Sequence, residues 1–66
     1  GRNNYAKRFE GEVLDFIPEE YVDGYLIGHT NNFLKVKVPG KSSDIGKMLE
    51  IRIEKGLYPI CIGKII

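Results

Sequence analysis

Residues 24–39 read GYLIGHTNNFLKVKVP, and the alternation in this stretch decides the fold. Two runs of period-2 alternation flank a polar centre, Thr30-Asn31-Asn32. Alternation interrupted by asparagine marks a β-hairpin, because Asn tolerates the backbone conformations of tight turns. In the second arm Leu34, Val36 and Val38 share one face and require a core. Phe33, Lys35 and Lys37 share the other and present an aromatic ring and two cations outward.

The same reading extends to both ends of the chain. Strand one is expected from Phe9 to Ile17, with Leu14 and Phe16 facing one way and Val13, Asp15 and Ile17 the other. Pro18, lacking a ladder donor, is expected to help end it. Asp23-Gly24 reads as a turn or bulge, and Tyr21-Val22 before it are candidates for the start of strand two. Strand two, Gly24 to Thr30, turns Leu26, Gly28 and Thr30 to one side and Tyr25, Ile27 and His29 to the other. The glycine inside it suggests a bulge or a close backbone approach. Strand three is Phe33 to Val38, strand four Met48 to Glu54, and strand five Leu57 to Ile65, where Pro59 marks an edge or bulged strand. Lys41-Ser42-Ser43-Asp44 is a polar loop that can begin a single helical turn. Five short strands punctuated by turn signals indicate an all-β protein, a small closed or partly closed barrel. Its expected core is Leu14, Phe16, Leu26, Leu34, Val36, Val38, Leu49, Ile51, Ile53, Cys61 and Ile65. Residues 1–8 read as a linker or the end of an upstream segment, and 9–66 as the domain. Tyr5 and Phe9, four apart, fit one face of a last helical turn entering it.

Sixty-six residues with 42% hydrophobic content support one compact core but not a deep enclosed cleft. No apolar run has the ~18 residues needed to span a bilayer, so no membrane partner is expected. A single cysteine, Cys61, excludes an internal disulfide and suits a reducing, cytoplasmic setting. The net charge of +1 is unevenly spread. Residues 9–23 carry Glu10, Glu12, Asp15, Glu19, Glu20 and Asp23 and no Lys or Arg, whereas from residue 24 onward seven Lys and Arg face three acids. A local basic field of this kind steers an anionic partner more directly than the mean charge does.

Catalytic chemistry is not supported. The one histidine, His29, could in principle activate Cys61, but nothing in the sequence places the two together, and Cys61 falls in an apolar alternation that marks it as a buried thiol. No His, Cys, Asp or Glu grouping has metal-ligand spacing. Residues 40–47, GKSSDIGK, imitate a phosphate-binding loop but have five residues between the glycines rather than four, and Met48 follows the lysine. This segment is a turn. The remaining signal is aromatic and basic side chains interleaved on strand faces, the means by which small barrels hold single-stranded nucleic acid. Tyr25, His29, Phe33, Lys35, Lys37 and Arg52 are the outward candidates, with Lys41 and Lys47 on the adjoining loop. The alternative is an ordinary polar strand face, with Tyr25 and Phe33 covering a barrel end.

Over residues 9–66 the sequence DGYLIGHTNNFLKVKVPG, then DIGKMLEIRIEKG, then PICIGKII resembles the TRAM domain, a five-stranded OB-like barrel of tRNA-modifying enzymes. It is most similar to the C-terminal TRAM domain of radical-SAM tRNA methylthiotransferases of the threonylcarbamoyladenosine type. Tyr5-Ala6-Lys7-Arg8-Phe9 resembles the segment joining that domain to the catalytic one. The resemblance implies a non-catalytic chain that binds tRNA and positions an anticodon-loop adenosine for methylthiolation by an upstream catalytic domain. It also implies that the iron–sulfur clusters and S-adenosylmethionine belong to the rest of the parent enzyme. Strand one, with Glu10, Glu12 and Asp15, is more acidic than a surface given wholly to RNA. The resemblance therefore leaves two alternatives: a module that recruits a basic ribosomal protein, or a barrel that mainly packs on its own catalytic domain through Met48, Leu57 and Pro59.

Overall fold

The computed structural model describes all of residues 1–66. A short helix, α1 (Arg2–Lys7), leads into strands β1 (Val13–Val22), β2 (Tyr25–Thr30), β3 (Lys35–Pro39), β4 (Leu49–Lys55) and β5 (Cys61–Ile65). A 3-10 turn, Ser42–Asp44, joins β3 to β4. The strands close into a barrel in the order β1-β2-β3-β5-β4, antiparallel throughout except for the parallel β3–β5 pair. Closure leaves no open sheet edge.

The alternation of the sequence becomes the inside and outside of this barrel. Phe16, Leu26, Leu34, Val36, Val38, Ile51, Ile53 and Cys61 are buried, and Leu14, Leu49 and Ile65 pack against them partly buried. Ala6 of α1 joins this core, and Phe9 packs on it. Apart from Ala6 and Tyr5 the helix is polar, so its attachment rests on one small buried side chain and a few specific contacts. Gly56 permits the approach: a Cβ there would lie 2.2 Å from the Ala6 carbonyl oxygen. The Gly56 N–H donates to Glu10 Oε2 at 2.8 Å, and the Tyr58 N–H to Asn3 Oδ1 at 2.6 Å. Tyr5 and Phe9 meet edge to face with ring centroids 5.3 Å apart.

The bounds of β1, β3 and β5 depart most from the sequence expectation. Pro18 does not end β1, which starts at Val13 and continues through Tyr21-Val22. β4 accompanies β1 only over Val13–Phe16, so past that point β1 has one ladder, to β2. The Pro18 carbonyl points away from β2 and accepts from the Gly46 N–H at 2.9 Å. The missing N–H falls on that same unladdered side, and a register shift between Pro18 and Glu20 absorbs the rest. Asp23-Gly24, both with positive φ, then form the two-residue turn of the β1–β2 hairpin. β3 begins at Lys35 rather than Phe33, because Phe33 takes a left-handed backbone in the turn. β5 begins at Cys61, and with β3 on one side and β4 on the other it is not an edge. Leu57–Ile60 form the irregular connection that meets α1.

Gly28 holds β1 and β2 at this close spacing. A Cβ there would lie 2.1 Å from the Ile17 carbonyl oxygen and 2.8 Å from the Pro18 Cα, both backbone atoms that cannot swing aside. Gly28→Ala is expected to cost ~2 kcal/mol or more, as overpacking against backbone does. Ile51→Ala, in a fully buried position, should cost ~2–4 kcal/mol. Urea melts of both variants check this, and a Gly28→Ala protein as stable as the parent contradicts the close-approach assignment.

Candidate nucleic-acid interface

The outward face of the β2–β3 hairpin gathers most of the sequence-predicted residues. His29 stands opposite Lys35, Ile27 opposite Lys37, and Tyr25 opposite Pro39. The Lys37 ammonium lies over the Tyr25 ring, 4.8 Å from its centroid, so the two act as one cation–aromatic unit. Lys35 is exposed and Lys37 half-buried. His29 Nδ1 is hydrogen-bonded to Glu19 Oε1 at 2.7 Å, which brings a carboxylate of β1 to the border of this face.

Phe33 sits at the hairpin tip, and its backbone explains why. Thr30 to Phe33 form a β-turn closed by the Phe33 N–H donating to the Thr30 carbonyl, and the Thr30 N–H donates to the Leu34 carbonyl. The buried Thr30 hydroxyl accepts from the Leu34 N–H at 3.0 Å and donates to Asn32 Oδ1. A three-residue loop of this kind needs a left-handed residue at its end, where glycine is usual. Phe33 fills that position with φ +66°, and the residue is 86% exposed. A left-handed backbone costs a non-glycine residue ~1–2 kcal/mol, and burial returns nothing to this one. An aromatic ring is therefore held in solvent against both hydration and backbone preference, a combination associated with functional positions.

The other predicted residues are not brought to this face. Arg52 lies on β4, paired with Val13 on one side and Lys64 on the other, and its guanidinium donates to the Gly11 carbonyl at 2.7 Å. It belongs to the opposite wall of the barrel. Lys41 and Lys47 flank the 3-10 turn, which docks beside β1 through the Gly46–Pro18 hydrogen bond, on the side of β1 away from β2. Lys47 is additionally paired with Asp44 at 3.3 Å. Sequence reasoning missed Lys64. It is exposed on β5, next to β3, and lines a shallow groove with Tyr25, Pro39 and Glu54. Its outward position was readable from the alternation in β5. Its neighbourhood was not, since that depends on the parallel β3–β5 pairing.

A second concave region lies at the barrel end, between α1, the hairpin tip and residues 57–61, with a volume of about 510 Å³. Phe33 and Lys35 line it together with Tyr5, Leu57 and Tyr58. Met48, Leu57 and Pro59, named for the alternative in which the barrel packs on its own catalytic domain, are all exposed, but Met48 stands before β4 and Leu57 and Pro59 beyond its far end, so they do not form one patch. No group of three or more His, Cys, Asp or Glu side chains converges anywhere, and Cys61 is buried, so the residues present do not fit an iron–sulfur cluster. No helix is long and apolar enough to cross a membrane.

No protein-family model matches the chain. A curated relative, threonylcarbamoyladenosine tRNA methylthiotransferase MtaB of Bacillus subtilis (strain 168), is 36% identical over 67 aligned residues, which take in 94% of this chain. The chain spans only 15% of that enzyme's length. The similarity is thus to one domain-sized part of a tRNA-modifying enzyme.

The strain at Phe33 has a measurable consequence. Phe33→Gly should raise stability by ~0.5–1 kcal/mol, the left-handed cost relieved less the extra chain entropy of glycine. For a domain this small the melting temperature should rise by a few degrees. A lower melting temperature in the variant would mean that the ring stabilises the fold and is not held out for another purpose.

Proposed function

We propose that residues 9–66 are a TRAM domain, and that the chain is the tRNA-binding part of a radical-SAM tRNA methylthiotransferase, with residues 1–8 the end of an upstream segment. In this reading the barrel does no chemistry. It holds tRNA so that a catalytic domain of the same chain, carrying the iron–sulfur clusters and S-adenosylmethionine, reaches an adenosine of the anticodon loop in the cytoplasm. The observation that carries the reading is the outward face of β2 and β3, where Lys35, Lys37 over Tyr25, and the exposed Phe33 ring lie together. Cations track a nucleic-acid backbone while aromatic rings stack its bases, and neither requires an enclosed cleft. The similarity to a tRNA methylthiotransferase along nearly the whole chain supports tRNA as the nucleic acid.

A second reading has its own observation. Asp15, Glu19, Glu20 and Asp23 are exposed along β1 and its turn, beside the basic face. Four exposed carboxylates along one strand and its turn suit a basic protein partner better than an RNA, as in a barrel that recruits a ribosomal protein.

An NMR titration of the chain with a tRNA anticodon stem-loop, at low and then moderate salt, separates the two. The RNA reading expects shifts at Tyr25, His29, Phe33, Lys35 and Lys37 that fade as salt rises. Replacing Lys35 and Lys37 together by alanine should weaken binding and flatten the log–log salt dependence by roughly one for each phosphate no longer neutralised. Shifts confined to residues 15–23 on adding a basic ribosomal protein, with none from RNA, would transfer the function to the acidic edge.

A further inference from the structure

The groove at the barrel end lies beside the β2–β3 face and shares Phe33 and Lys35 with it, but not Tyr25, His29 or Lys37. Tyr5, Phe33, Leu57 and Tyr58 form its apolar walls, Arg2 and Lys35 are its cationic side chains, and no carboxylate lines it. That last point separates it from the remainder of the surface, where Glu19 borders the β2–β3 face and Glu54 the groove beside Lys64. Its volume of about 510 Å³ falls within the range of small-ligand pockets.

We infer that this groove takes one unstacked nucleobase of a single-stranded RNA, stacked against Phe33 and Tyr58, with Arg2 and Lys35 meeting the neighbouring phosphates. The inference rests on the RNA-binding reading and assigns to Arg2, Tyr5 and Tyr58 a role that the strand faces do not suggest. Two features favour a base over an apolar protein segment. The first is that Phe33 is kept at the groove in a left-handed backbone with its ring in solvent, so the ring is offered to an outside partner. The second is that Tyr58 is already fixed. Its N–H donates to Asn3 Oδ1 at 2.6 Å, its hydroxyl accepts from the Arg2 guanidinium, and that guanidinium lies 4.8 Å from the ring centroid. Splayed bases stack on aromatic rings and on guanidinium planes alike, and a platform ordered before binding loses little side-chain entropy when a base arrives. A purely apolar peptide would gain nothing from the two cations, whereas a nucleotide uses both parts. The segment 1–8 would then act as one wall of the binding site as well as a connection.

The test uses the 66-residue chain and a set of anticodon stem-loop RNAs carrying 2-aminopurine at each loop position in turn. Stacking on an aromatic ring quenches the probe, and quenching is expected at one position. Tyr58→Leu should abolish that quenching and weaken affinity about tenfold, in line with the removal of one stacked base, with the salt slope unchanged. Tyr58→Phe should retain both quenching and affinity. Phe33→Gly, which relieves strain and so stays folded, should behave as Tyr58→Leu does. If RNA binds and Lys37→Ala weakens it, yet no loop position is quenched or Tyr58→Leu quenches as the parent does, the groove is not a base site while the β2–β3 interface stands. A parent chain that binds none of the RNAs overturns both.

Discussion

The barrel closes through a parallel seam of two paired positions, Val36 opposite Cys61 and Lys37 opposite Ile62. Both faces of the molecule depend on it. Inward, it brings Cys61 into the core beside Val36 and allows a chain of 66 residues to enclose its apolar side chains without a second layer. Gly63 completes the fit: a Cβ there would lie 3.0 Å from a Val38 methyl and 3.1 Å from the Arg52 carbonyl oxygen, tighter than ordinary contact. Outward, the seam sets Ile62 beside Lys37 and brings Lys64, two residues further along β5, to the groove lined by Tyr25 and Pro39. Without closure β3 would be an exposed edge with unpaired backbone groups, a surface that recruits other strands before it recruits anything more specific.

The sequence made the inside of this barrel legible and the outside only in part. Leu34-Val36-Val38 and Leu49-Ile51-Ile53 reveal their inward faces because a period of two is all that a half-buried strand requires. The same rule sorts Arg52 correctly as outward, but outward positions on a closed barrel point in every direction. Which of them meet depends on strand order, and that is fixed by the non-local β3–β5 pairing. Arg52 and Lys64, though paired with each other, differ for this reason: the first lies on β4, which neighbours neither β2 nor β3, the second on β5, which pairs with β3. Pro18 misleads in a related way, since a proline ends a strand only where its missing N–H faces a ladder partner. The docking of α1 is hidden because it depends on Ala6 and on the bare backbone of Gly56, neither of which stands out in a polar segment.

Phe33 shows what the strand pattern conceals. Read as the first residue of β3 it is one more outward side chain. In the structure it occupies the turn position where glycine would cost least, and its ring is exposed. Thr30 and Asn32 tie the loop to itself through the buried hydroxyl, so the left-handed backbone is enforced by its neighbours and not chosen by Phe33. Local rules and the global fold agree almost everywhere else in the chain. Their disagreement at a solvent-exposed aromatic residue is what a binding position looks like when folding alone does not account for it.

The acidic β1 and the basic β2–β3 face share a border at the 2.7 Å contact of Glu19 with His29. For a polyanion this arrangement is directional. An RNA strand lying over Lys35 and Lys37 is repelled if it strays across β1, where Asp15, Glu19 and Glu20 are all exposed. It is not repelled if it continues past the hairpin tip, because no carboxylate lines the groove between Phe33 and Tyr58. Like charges in the wrong place thus narrow the path as much as opposite charges in the right place attract along it. In the proposed RNA-binding role the acidic strand is a guide toward the barrel end, with the Glu19–His29 hydrogen bond at its border marking where the permitted path stops.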